Sequence, residues 1–435
     1  MYVKNGMPYF KRALESVLGQ SYKNIEVIVV DGGSTDGTKE LADQYAINDR
    51  RVHVLSCDKG SVGAQFNMGL EYASGKYVAI VESDDYILPE MYEKEIAIAD
   101  ETGCDILRAD NYIFYGPEGQ EHRIRIEISH DHSLYERVIR HAIEPEHAML
   151  GGSFWTGLYR RDFLLKQNIK MNESSGAAYQ DLGFLFLATS LADTIYMMPD
   201  AYYCYRKDNP GSSCNSPTNM LNVQTECQFL RSELKKRGIW EQNKETYITW
   251  KIRNELWFCS CLSEEKEEEY SSYLYADLRQ IIQPESIEPD NYPVREAAVI
   301  KAVLGGEEDL KNLLHESRAY QTDLIDKINC LSDEQQIYIF GAGNVGEIMV
   351  SVLERHGLYP AAFVDNNSLL WGTEKMGLNV IGIDDVLNEE DGFFIICSEF
   401  YSLEIRNQLL KHGIPRDRLA VCSSMDGAVR LLISD

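Results

Sequence analysis

No stretch of this sequence approaches the ~20 consecutive apolar residues needed to cross a bilayer. Its opening residues, MYVKNGMPYFKR, hold no apolar signal-peptide core. A membrane-spanning protein is therefore not expected; a cytoplasmic one is, with peripheral contact at the inner face of the membrane left open. Positive charge is scarce too: 42 Lys and Arg stand against 69 Asp and Glu, a formal charge of −27. Such a field repels polyphosphate backbones, so nucleic acid is not an expected partner. It leaves room for a nucleotide sugar, because a bound divalent ion reverses the local sign. A cysteine framework is also missing. Ten cysteines are scattered, and the close pair Cys259 and Cys261 lacks the Cys-x-x-Cys spacing of zinc and redox sites. Free thiols in a reducing compartment follow.

What is present is the balance of a globular chain, 44% hydrophobic and 26% charged. A length of 435 residues calls for two or three domains. Up to about residue 215, short apolar runs alternate with helical patterns. IEVIVV (Ile25–Val30), VHVL (Val52–Leu55) and YVAIV (Tyr77–Val81) read as strands. Between and after them come a helix capped by Asp36, a helix over Val62–Ala73 and a helix opened by Pro89. This alternation predicts a mostly parallel sheet with helices on its faces. Long helical patterns follow, Asn219–Arg237 and Lys244–Leu262 among them, and the acidic run Glu264–Glu269 reads as a solvated helix start or loop. From Gln336 the alternation resumes with IYIF, a helix over Val345–His356, AAFVD and FFIIC (Phe393–Cys397).

Ligands of open α/β sheets sit beyond the carboxyl ends of the strands. Two acidic clusters fall there: VVDGGSTDGT, with Asp31 and Asp36, and VESDDYILPE, with Glu82, Asp84 and Asp85. Adjacent carboxylates are costly to hold together without a cation or hydrogen bonds, so a divalent ion bridged to a diphosphate is a natural occupant. Either cluster alone reads equally well as acidic turn residues capping a helix; the pair at strand ends is harder to explain that way.

Here the chain resembles glycosyltransferase family 2, the inverting enzymes with the GT-A fold. The likeness runs from about Gly6 to Pro217 through PYFKRALESVLGQSYKNIEVIVVDGGSTDGT, GAQFNMGLEYASGKYVAIVESDDYILPEMYE, FWTGLYRRDFL and YQDLGFLF, in the family's order. It implies a GT-A mixed sheet flanked by helices over 1–217; beyond it the helical patterns predict a connector over 218–331 and the resumed alternation a small Rossmann-like domain over 332–435, an α/β architecture as a whole. The resemblance gives Asp31 a contact with the donor's nucleoside, Asp84 a place toward the ribose or sugar, Asp85 direct ligation of Mg²⁺ or Mn²⁺, and Asp181 the role of catalytic base. A carboxylate at a helix N-terminus is expected to be favoured in its ionised form. Arg206, Ser212 and Ser213 fall where family members carry a loop over the diphosphate, and Trp155 is a candidate acceptor contact or an ordinary core residue. Gly60, Gly63 and Asn67 are expected to shape the turn and helix beside the donor. The implied partners are a UDP- or GDP-type nucleotide sugar and a glycan or lipid-linked glycan acceptor, in bacterial surface polysaccharide assembly.

Two features depart from the family. The common Asp-Asp-Gly-Ser is Asp31-Gly32-Gly33-Ser34 here, and the usual opening strand ending in Pro-x-Tyr-Asn is reduced to Met1–Asn5. The first strand is thus expected to be missing, as in a truncated chain. In the C-terminal part, Gly341, Gly343 and Gly346 lie between a strand and a helix, with Asp365 about 20 positions on, matching a dinucleotide fingerprint. No second nucleotide-binding half accompanies it; the glycines are expected to serve strand–helix packing, and NAD is not the expected cofactor. Two other readings stay open: a nucleotide-sugar-binding scaffold without turnover, and an NAD-dependent oxidoreductase led by this module.

Overall fold

The computed structural model describes residues 1–129, 131–140, 153–177, 179–212, 222–285, 287–331, 335–387 and 391–433. The chain is mixed α/β and divides into two compact units, Met1–Tyr247 and Ile248–Asp435.

In the first unit the helix Phe10–Leu18 buries Phe10, Ala13, Leu14 and Val17, a stripe at helical spacing. The strands Tyr2–Val3, Val27–Asp31 and Val52–Ser56 form a parallel three-stranded sheet in that order. The first strand is therefore present in shortened form: Tyr2 lies opposite Val30 and Val3 opposite Asp31. The run of β-branched residues in Val27–Asp31 suits burial on both faces, and Val27, Val29, Val30 and Asp31 are all buried. The helix Thr38–Asn48 starts one residue later than an Asp36 cap requires. Gly37, at φ 93°, takes the cap position, while the Asp36 carboxylate holds the Thr38 amide at 3.1 Å and hydroxyl at 2.6 Å from one step further out.

A second, seven-stranded sheet runs Tyr77–Val78, Leu158–Arg160, Ile106–Tyr115, Thr194–Arg206, Tyr86–Ile87, with His122–Ile126 and Val138–Arg140 added at the sides. The strand expected over Tyr77–Val81 stops at Val78, because its partner Leu158–Arg160 pairs with Tyr77 and Val78 alone. Ile80 and Val81 continue buried without a ladder and deliver the carboxylates that follow. The strand Thr194–Arg206 carries Pro199, which has no amide proton for a ladder bond. Its register slips between Met198 and Ala201, and again before Tyr203. These bulges set which residues beyond them face the acidic turn. The helix expected to open at Pro89 begins at Met91.

The second unit has the helices Glu264–Ile282, Val294–Gly305 and Glu307–Cys330, and a six-stranded sheet. That sheet's order is Glu374–Lys375, Leu378–Ile381, Ala362–Val364, Ile337–Phe340, Phe393–Cys397, Leu419–Cys422, parallel except for the first pair. The acidic run at Glu264 opens a helix, where negative charge complements the helix dipole. Among the described residues no helix is long and apolar enough to cross a membrane.

Candidate active site

The residues Glu82 to Asp85 make a tight turn between the buried Val81 and the strand Tyr86–Ile87. Ligand oxygens of Glu82, Asp84 and Asp85 all lie within 4.8 Å of one another. Like charges at 4.8 Å repel by about 3 kcal/mol at an effective dielectric near 20, so the cluster opposes itself without a cation. The protonation tendencies record this. Burial, then the Asp84 charge, pushes the Glu82 carboxyl up to about 8, and the same two causes hold Asp85 well above the usual carboxylate range.

The three carboxylates differ in their partners. Asp85 is buried; its Oδ2 accepts the Tyr203 hydroxyl at 2.6 Å and its Oδ1 the Arg206 amide at 2.8 Å. Glu82 and Asp84 are half-exposed. Glu82 Oε1 accepts the Tyr2 hydroxyl at 2.5 Å, and Asp84 Oδ2 accepts the Asn209 amide at 2.7 Å. The direct ligand expected at Asp85 thus has a bond from inside the protein at each oxygen, whereas Glu82 and Asp84 each accept one such bond. An all-oxygen set of this kind fits a hard divalent cation.

Asp181 sits in the first turn of the helix Gln180–Leu191, behind Tyr179 at φ 64°. Its charge raises both Glu82 and Tyr2, so it lies near enough to the cluster to be felt there. The helix N-terminus was expected to favour its ionised form. The amides of Asp181 and Leu182 do act in that direction, but burial outweighs them and lifts the carboxyl to about 6. Asp31 stands at the tip of the strand Val27–Asp31, in the three-stranded sheet. It is buried, and its carboxylate accepts the amides of Gly33 at 3.0 Å and Ser34 at 3.2 Å, so it orders the turn at that tip.

The remaining candidates fall in less open places. Arg206 ends the strand Thr194–Arg206. It is 8% exposed, donates to the Asp84 carbonyl at 3.0 Å, pairs with Asp208 at 3.1 Å and lies over the rings of Tyr9 and Phe114. Its guanidinium is thus held within the protein and is not carried on a loop. Ser212 is half-buried, its amide bonded to the Asn209 carbonyl at 3.2 Å; Ser213 lies outside the described residues. Trp155 is buried and stacked on Tyr203, centroids 4.1 Å apart. In the C-terminal unit, a Cβ on Gly341 would lie 2.3 Å from the Cys397 carbonyl oxygen, and one on Gly346 would lie 2.1 Å from that of Gly341. Gly343 is the N-cap of Asn344–Arg355, and Asp365 accepts the Ala342 amide at 2.9 Å and the Asn367 amide at 2.8 Å.

Two neighbours of the site were not singled out from the sequence. Tyr203 gives no local signal, since its partners are remote in the chain. Glu226 does: on the helix Asn222–Lys236 it shares the stripe of Val223, Cys227, Leu230 and Leu234, and a charge on an apolar stripe is a marker. It is 1% exposed, pushed up to about 8 by burial, bonded to Asn172 at 3.0 Å, and close enough to Asp181 to feel its charge.

Residues 1–166 match the family described as glycosyl transferase family 2, and residues 333–420 one described as C2185-like, N-terminal. The chain is 27% identical over 220 residues to the uncharacterized glycosyltransferase EpsJ of Bacillus subtilis, covering 49% of this chain and 61% of that one. It is 31% identical over 180 residues to the uncharacterized glycosyltransferase YibD of Escherichia coli, covering 40% and 50%. The chain thus spans about half to three-fifths of the length of these curated relatives. Residues 1–349 of S. aureus TarS, solved in complex with UDP-GlcNAc, share the fold with a TM-score of 0.56 at 19% identity, covering 73% of this chain and 90% of that one.

Proposed function

We propose that this chain, whose residues 1–166 match the family described as glycosyl transferase family 2, transfers a sugar, with inversion, from a nucleotide-diphosphate donor to a hydroxyl acceptor. The observation that carries the reading is the gathering of ligand oxygens of Glu82, Asp84 and Asp85 within 4.8 Å of one another, near enough to Asp181 for its charge to reach Glu82. The donor is of the UDP type, a choice supported by the UDP-GlcNAc bound to TarS. A surface glycan or its lipid-linked precursor is the acceptor class, at the inner face of the membrane; this rests on the family alone.

Glu82 and Asp84 would hold Mg²⁺ or Mn²⁺, with Asp85 as their buttress. A cation there supplies neutralising charge for the departing diphosphate. Asp31 orders the turn against which the nucleoside rests. Asp181 takes the proton of the acceptor hydroxyl as its oxygen attacks the anomeric carbon opposite the leaving group. A base near 6 suits this: it is ionised at neutral pH yet basic enough to accept a proton, a contribution of ~10²–10⁴-fold.

The test is release of nucleotide diphosphate from a panel of UDP-sugars by the full chain, with Mn²⁺ and with chelator. Asp181→Asn should lower turnover at least about 100-fold and leave Mn²⁺ binding intact, while Asp84→Asn should lose both. Turnover that survives chelator and Asp181→Asn alike refutes the assignment.

A further inference from the structure

The turn that carries the carboxylates is closed by a residue from a distant strand. Tyr203 accepts the Glu82 amide at 3.0 Å and donates to Asp85 Oδ2 at 2.6 Å, so one hydroxyl pins the first and last residues of the turn. Tyr203 is 1% exposed and cannot trade these bonds for water. Its ring is fixed in turn by Trp155, stacked at 4.1 Å with 19° between the planes; Trp155 lies within 5.1 Å of the Tyr205 ring as well. The bulges at Pro199 and Ala201 are what bring Tyr203 to this face. Arg206 completes the clamp, its amide on Asp85 Oδ1 and its Nε on the Asp84 carbonyl.

We infer that Tyr203, backed by Trp155, is a positioning residue for the cation: it fixes both ends of the Glu82–Asp85 turn so that the Glu82 and Asp84 carboxylates converge on one ion. The inference rests on the metal reading given above. It also gives Trp155 a different task from acceptor binding, since the indole is buried against the ring that holds the turn. A carboxylate free to rotate would sample orientations in which the two oxygens do not meet, and outer-shell partners of ligands commonly change metal affinity by about 10–100-fold.

Tyr203→Phe removes the hydroxyl and keeps the ring, so the stack on Trp155 survives. The measurement is Mn²⁺ alone titrated into the full chain, with free Mn²⁺ followed by electron paramagnetic resonance and the folded fraction by thermal melting. Tyr203→Phe should weaken Mn²⁺ binding about tenfold or more, and Trp155→Phe, which trims the backing ring, about two- to threefold in the same direction. Turnover of Tyr203→Phe should recover toward wild type at saturating Mn²⁺, an outcome that lost packing alone does not produce. If Asp84→Asn weakens binding while Tyr203→Phe stays within twofold of wild type, the positioning role is overturned and the metal site stands. Should Asp84→Asn also bind as wild type, the metal reading falls and takes this inference with it. Where Tyr203→Phe fails to fold, Trp155→Phe decides, and unchanged affinity there overturns the inference.

Discussion

At the scale of single residues, burial competes with local hydrogen bonds, and the winner sets the chemistry. Asp181 has two helix amides favouring its charge, yet it is lifted to about 6. Turnover at saturating metal should therefore fall about tenfold per pH unit below that value, as the base becomes protonated. A pH–rate profile with no acidic limb between 5 and 7 would contradict this. Glu95 is the extreme case. It is fully buried on the helix Met91–Thr102, neither oxygen meets a donor among the described residues, and burial holds its carboxyl well above 4.5. The folded chain keeps a proton there that the unfolded chain releases above about 4.5. Its contribution to stability is thus greatest at acid pH and declines as pH rises from that value toward the folded one. Glu95→Met should stabilise by about 1–3 kcal/mol, more at pH 8 than at pH 5; denaturant titrations at the two values check it.

At the scale of elements, the site depends on how helices and loops approach each other. On the helix Val62–Tyr72, a Cβ at Gly63 would stand 1.8 Å from the Asn172 carbonyl oxygen. One turn on, Asn67 bonds both the amide and the carbonyl of Met171 at 3.0 Å. This helix therefore sets the segment that leads to the Asp181 helix. Gly63→Ala should cost about 1–3 kcal/mol and reduce turnover more than Mn²⁺ binding, read by melting, product release and metal titration. Elements of this kind were the legible part of the sequence. FFIIC became the strand Phe393–Cys397 and Val62–Ala73 the helix Val62–Tyr72, because hydrophobic period and β-branched content act locally. The run Tyr77–Val81 misled because a strand also needs a partner of equal length, which local composition does not report. The carboxylates were visible as a pattern, but which of them is bonded at both oxygens from inside the protein was not. That was decided by Tyr203 and Arg206, more than a hundred residues away.

At the scale of the whole molecule, the formal charge of −27 is an electrostatic fact about every ligand that approaches. It draws a divalent cation toward the chain and repels a free nucleotide diphosphate, so the ion should bind ahead of the donor. Raising NaCl from 50 to 500 mM should weaken Mn²⁺ binding several-fold through screening, a Debye length of about 10 Å at 0.1 M shrinking further. An affinity indifferent to salt would mean that the local carboxylates act alone. The bonds from Tyr203 and Arg206 to Asp85 also span 118 and 121 residues of chain. While the protein is being synthesised, the acidic turn leaves the ribosome long before the strand that clamps it. For that interval the carboxylates exist without the geometry to retain an ion. Cation capture consequently reports that the first unit has closed as far as Arg206, and a nascent chain arrested short of Tyr203 should lack it.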